Sequence, residues 1–130
     1  MANNLTNYGE SALVKHLVGK AAFTMPATVY VSLHTADPTE TGSTAAELVG
    51  NAYVRQAVAW GAEASGTIAN SADIVWAAAT ASWGTITHIG ICDAATAGNM
   101  LVYGALTASK AVGNADQFKL AASALSVGLD

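Results

Sequence analysis

Everything downstream of Pro26 reads as short β-strands, and this constrains the fold more than any other feature of the chain. TVYVSLH (28–34) alternates Val29, Val31 and Leu33 against Tyr30, Ser32 and His34, the two-residue period of a strand with one face buried. AYVRQAVAW (52–60), GTIAN (66–70), DIVWAA (73–78), GTITHIGICD (84–93), MLVYGALT (100–107), DQFKLAA (116–122) and ALSVGL (124–129) follow. Within 84–93, Ile86, His88, Gly90 and Cys92 fall on one side, and Ile89 and Ile91 on the other. Successive short strands without helices between them predict an antiparallel sandwich or barrel rather than a parallel α/β sheet.

The one helix lies before Pro26. Leu13, Val14, Leu17, Val18, Ala21 and Ala22 recur at helical spacing over residues 10–23 and form a single stripe, with Lys15, His16 and Lys20 largely off it. Asn7 is placed to cap it with Glu10 three residues on, and Pro26 bars its continuation. Gly19 weakens the helix, so its stability is expected to come from docking. The expected architecture is mainly β: a jelly-roll-like antiparallel β-sandwich (28–130) preceded by an arm and one amphipathic helix (1–27). Val29, Val31, Leu33, Val54, Val58, Ile74, Trp76, Ile89, Ile91, Leu101 and Leu106 are its expected packing residues.

A length of 130 residues fits one domain. Only 11% of residues are charged against 52% hydrophobic, and mean hydropathy is +0.37. A surface so poor in charge suits a chain that hides part of itself against neighbours. The net charge of −4 comes without any basic cluster, which argues against nucleic-acid binding. Cys92, the single cysteine, sits in an apolar run and reads as a buried, inert thiol. No apolar run approaches the ~20 residues of a membrane span. MANNLTNYGE lacks the order of a signal peptide, so use without export is expected.

One stretch invites a chemical reading. In VSLHTADPTETGS (31–43), His34, Asp37, Glu40 and the nearby Glu47 carry metal-ligating groups, with His88 and Asp93 available from another strand. The spacing His-x-x-Asp followed by Pro38 is equally the grammar of a turn. The same pattern recurs as Asp93 with Gly98, mirroring Asp37 with Gly42: an aspartate capping backbone N–H groups and a glycine free to take a positive φ. No Gly-x-Ser-x-Gly elbow, dinucleotide fingerprint or P-loop occurs. No catalytic residue, metal ligand or cofactor is therefore assigned. Asp37, Pro38, Thr39, Glu40, Thr41 and Gly42 are instead expected to project from the sandwich as a contact loop. Trp83, just before Gly84, and Tyr103 are expected to be exposed aromatics, which side by side would favour sugar contact. Arg55, the sole arginine, is expected to make a sheet-face or subunit ion pair.

The ordered blocks VYVSLHTADPTETGS, AYVRQAVAW and SWGTITHIGICDAATAGNMLVYGALT resemble a family of small tailed-bacteriophage virion proteins, labelled tail-fibre or minor structural proteins. The resemblance spans residues 28–129. It implies a non-enzymatic virion component assembled in the host cytoplasm, with no nucleic-acid or membrane partner. The leading expectation is a capsid cement or decoration protein, a homotrimer that clamps the major capsid protein through several modest contacts at once. The alternative is a tail or tail-fibre component engaged in host adsorption, bound to other tail proteins. A metal-dependent jelly-roll enzyme is a remote third.

Overall fold

A computed structural model describes residues 4–129. Among them the elements run β1 (Asn4–Leu5), α1 (Asn7–Leu17), β2 (Tyr30–His34), β3 (Gln56–Ala57), β4 (Thr67–Ala69), β5 (Ile74–Val75), β6 (Gly84–Cys92), β7 (Met100–Val112), β8 (Lys119–Leu120) and β9 (Ser126–Gly128). A five-stranded antiparallel sheet in the order β1-β7-β6-β2-β3 organises the molecule, and β4 pairs with β9 and β5 with β8 as two short ribbons. The chain is mainly β with one N-terminal helix, as expected, and the ribbons supply the second layer against the sheet.

One face of the sheet is the main core. Val31 and Leu33 of β2, Ile89 and Ile91 of β6 and Val102 of β7 meet Ile74, Trp76, Phe118, Leu120 and Leu125 from the ribbons and their flanks. Trp76 and Phe118 pack edge to face with centroids 5.2 Å apart. Ile86 belongs to this core too, although strict alternation puts it with His88 on the other side. The pairing is irregular at this point: the register with β7 shifts between Ile86 and His88, strict alternation is broken there, and Ile86 shares the core with Ile89. Full burial of each such side chain stabilises by roughly 1.5–3 kcal/mol.

The opposite face is also covered. Ser32 and His34 are fully buried there, beside Cys92, Met100 and Tyr103. The start of α1 lies directly on β7. The Thr6 amide donates to the Leu101 carbonyl (3.0 Å), and its hydroxyl donates to the Met100 carbonyl (2.5 Å). Gly9 is what permits the approach, because a Cβ there would stand 2.5 Å from the Leu101 carbonyl oxygen.

Several expectations are corrected. Thr6, not Asn7, is the N-cap: its extended backbone (φ −77°, ψ 163°) lets its hydroxyl accept from the Gly9 amide. The helix ends at Leu17 rather than Phe23, since Gly19 turns left-handed (φ 72°) and the Lys20 amide closes back on the Lys15 carbonyl. Within the helix only Gly9 is buried, so docking holds its first turn alone. The apolar stripe faces outward, with Leu17 and Val18 each 73% exposed. The strand expected over 52–60 shrinks to two residues, and Val54 is exposed, not core. Positive φ at Asn51 and Ala52 breaks extended pairing just before it. The strand expected over 100–107 runs on to Val112, whereas 73–78 reduces to Ile74–Val75.

Candidate functional site

The register of β2 against β6 sets His34 directly opposite His88, so the two histidines that sequence placed far apart are neighbours. They do not converge with carboxylates on one point: no group of three or more His, Cys, Asp or Glu able to hold a metal occurs among the described residues. His34 Nε2 lies 2.9 Å from the Ser32 hydroxyl, which in turn lies 3.6 Å from the Cys92 sulfur. The trio has the residue types of a nucleophile and its base. Yet Ser32 and His34 are wholly inaccessible, so substrate has no path to them. Burial lowers the His34 pKa to about 4 against the attraction of Glu47, with the positive Arg55 and neighbouring His88 lowering it further. Its Nδ1 has no partner among the described residues. Burial likewise pushes the Cys92 thiol up, the opposite of what a reactive thiolate needs.

The strongest polar assembly is structural, and centres on Arg55. Its guanidinium grips the Glu47 carboxylate with both prongs, Nε to Oε1 at 2.7 Å and Nη2 to Oε2 at 2.8 Å. Its Nη1 donates to the carbonyls of Ala94 (3.0 Å) and Ala97 (2.8 Å). The Tyr53 hydroxyl donates to Glu47 (2.9 Å) and accepts from the Leu33 amide (3.1 Å). Burial by itself would raise the Glu47 pKa, but the hydrogen bonds from Arg55 and Tyr53 outweigh it and hold the carboxyl low. This one residue therefore joins the loop after β2, the approach to β3 and the β6–β7 turn. The expectation of a sheet-face or subunit ion pair resolves as a bond within the chain. Sequence signalled the arginine but not its partners: the 94–97 turn begins 39 residues on, and Glu47, only 8 residues away, meets Arg55 only once the fold brings the two segments together.

The two aspartate turns behave alike. Asp37 accepts from the Thr39 amide (2.8 Å) and Asp93 from the Asn99 amide (2.7 Å), while Gly42 and Gly98 take φ of 65° and 69°. The segment Asp37, Pro38, Thr39, Glu40, Thr41 and Gly42 does not project freely. Pro38 is buried, the Glu40 carbonyl accepts from the Asn7 amide at the start of α1 (2.8 Å), and Gly42 lies against Met100. It closes over the second face of the sheet, leaving Asp37, Thr39, Glu40 and Thr41 at its surface.

The expected exposed aromatics are corrected. Trp83 is 5% exposed in the main core, its indole N–H donating to the Asn51 carbonyl (2.9 Å) and its ring edge-on to Tyr53. Tyr103 is 8% exposed and belongs to the separate cluster with Cys92 and Met100. They form no common platform. Trp83 precedes a turn glycine, but its large apolar ring fills the sheet end instead. Tyr103 does line an open cleft of about 830 Å³ bordered by β1, the first turn of α1, the 37–42 loop and the β4–β9 ribbon. Glu10 and Glu40 also line it. Burial raises the Tyr103 pKa, and the charges of Asp37, Glu40 and Glu10 add to that.

A model of the family of podophage GP4 fiber I protein gp80 matches residues 4–128, almost the whole chain. The chain belongs to this family. It is thus a phage fibre-like virion structural protein, as the sequence resemblance implied. None of the curated proteins compared with it matches. The family match includes β1 and α1 as well as the blocks from residue 28 onward that carried the resemblance.

Proposed function

We propose that this chain is a non-enzymatic subunit of a phage tail fibre rather than a capsid cement protein. The observation that carries the reading is the match of nearly the entire chain to a fibre-protein family. The chemistry supports it. The catalytic residue types are sealed in the fold, and Arg55 and Glu47 are spent on holding three segments together. A subunit that transmits force between neighbours needs such cross-ties more than it needs a mobile site.

The partners follow from the surface. Val14, Leu17 and Val18 form an apolar stripe uncovered by the chain itself, with Glu10 at its start and Lys15 and Lys20 towards its end. A second copy laid antiparallel along this stripe buries the apolar side chains and brings each Glu10 towards the basic end of the other helix. Self-association and attachment to other tail proteins are thus part of the proposal. Assembly takes place in the host cytoplasm.

Immunogold labelling or cryo-electron microscopy of the virion tests it. Label on fibres at the tail supports the reading. Density spread over the shell, on the major capsid protein, overturns it in favour of cement. Light scattering of the purified chain measures the oligomer, including the trimer expected from sequence. A Leu17→Glu, Val18→Glu variant is expected to lower the mass while leaving the β circular dichroism unchanged.

A further inference from the structure

His34 closes β2 on the covered face of the sheet and is fully inaccessible. Its Nε2 rests on the Ser32 hydroxyl (2.9 Å), which lies against the Cys92 sulfur (3.6 Å). Its Nδ1 is sealed from solvent with no partner among the described residues, whereas buried polar atoms are almost always paired. The groups around the ring favour the neutral form. From β6 come His88, directly opposite, and Cys92. The 35–55 connection brings Glu47, Tyr53 and Arg55, with Asp37 4.0 Å from His88. β7 adds Tyr103, Asp93 of the β6–β7 turn is held on Asn99, and the charged residues of α1, Glu10, Lys15 and His16, are exposed. Glu47 draws a proton towards His34, while Arg55 and His88 oppose it. Both Glu47 oxygens are already engaged by Arg55 and Tyr53.

We propose that protonation of His34 opens the segment that covers it, residues 36–47, as a local acid-triggered switch, while the five-stranded sheet stays folded. An imidazolium donates from both ring nitrogens. Nε2 has Ser32 to receive its proton, but Nδ1 faces a closed layer with no acceptor, and an unsolvated cation there is strongly unfavourable. Admitting water to Nδ1 relieves this, and the covering segment is the part of the wall least bound to the rest. No helix or strand falls within it. Outside its own turns it is tied down by the Asn7 amide on the Glu40 carbonyl, the Thr35 amide on the Ala46 carbonyl and the Glu47 clamp, with the Leu48 amide on the Leu33 carbonyl just beyond. By contrast β6 is paired on both sides, with β2 and with β7. The switch is a property of this chain wherever in the virion it sits, and so stands apart from the fibre reading.

Cys92 is a built-in reporter, being the single cysteine and 1% exposed in the same layer. The purified full chain is reacted with 4,4′-dithiodipyridine from pH 7.5 to 5, each rate being divided by that of glutathione at the same pH. His34 returns from a pKa of about 4 to the ordinary 6.5 on opening, so the normalised rate is expected to rise about thirtyfold, with the β circular dichroism unchanged. In His34→Gln the rise is expected to stay below about twofold. Amide exchange of the wild type supplies a second measurement that needs no variant. Protection of Thr35 and Leu48, whose amides hold the segment, is expected to fall about thirtyfold over the same range, while that of Ile89 and Ile91 in β6 holds. A flat thiol rate, an equal rise in His34→Gln, or a parallel loss of protection at Ile89 and Ile91 overturns the switch.

Discussion

Val31 and Leu33 look into an apolar core, while Ser32 and His34, one step out of phase on the same strand, look into an equally closed but more polar layer. All four are fully buried. The two faces of β2 reach the same burial by different physics. On the first, many apolar atoms leave water, and no direction is required of them. On the second, buried polar atoms call for directed partners, and the layer is held by Thr6 on the Met100 carbonyl, Ser32 on His34 and the Arg55–Glu47–Tyr53 cluster, with His34 Nδ1 left without one among the described residues. The first face tolerates shape changes in proportion to volume lost, whereas the second fails when one partner is removed.

Leu33→Ala on the apolar face should produce the largest loss, about 4 kcal/mol in urea unfolding, because Leu33 is fully buried in the main core. A loss below about 1 kcal/mol would show that this face is not the main core. On the polar face, Arg55→Met should cost about 3 kcal/mol by stranding a nearly buried Glu47 carboxylate. A double change, Arg55→Met with Glu47→Leu, should recover much of that, which a purely apolar site would not do.

The pH dependence separates the faces as well. Burial lowers the His34 pKa from the ordinary 6.5 to about 4 in the folded chain, so the unfolded chain takes up a proton that the folded chain refuses. The histidine is neutral in both states above pH 6.5 and costs nothing there; as pH falls from 6.5 to 4 it destabilises the fold progressively, by about 3 kcal/mol in all. Glu47, whose folded pKa is lowered, adds a further loss only below the ordinary carboxylate range. Urea midpoints measured in steps from pH 7.5 to 4 should fall in wild type and flatten in His34→Gln. An unchanged slope in the variant assigns the effect to other groups. The smallest effect concerns the helix seat. Gly9→Ala in a helix normally stabilises by about 1 kcal/mol, but the Leu101 carbonyl stands where the methyl would go. A net loss of about 1 kcal/mol in thermal unfolding is expected, and a gain would mean that α1 does not sit on β7.

Much of the apolar face was legible from residue order. The alternation of 28–34 named Val31 and Leu33, and 84–93 named Ile89 and Ile91, because a strand repeats every two residues whatever it packs against. Ile86 escaped, since a register shift is a property of the pair of strands and has no mark in either alone. Val54 and Trp83 escaped for a related reason. An apolar residue between Tyr53 and Arg55 reads as core until Arg55 is seen to lock that segment in a conformation that turns Val54 out. A tryptophan before glycine reads as a loop tip until Tyr53 supplies the ring that it packs on.

The candidate site was less legible. The aspartate turns at Asp37 and Asp93 were readable because their hydrogen bonds close within a few residues. The cleft was not, because Asn4, Glu10, Glu40, Thr67 and Tyr103 meet only once β1 joins β7 and the 37–42 loop folds back on α1.

The sequence by itself determined the strand class, the two turn chemistries, about half of the apolar core and the family to which the chain belongs. Each of these is written in local spacing or in ordered blocks of residues. Only the tertiary structure decided that the helix turns its apolar stripe outward, that the expected contact loop closes the polar face, and that Trp83 and Tyr103 are buried rather than exposed. Those outcomes depend on which surfaces meet, and the free energy of a meeting belongs to both partners at once.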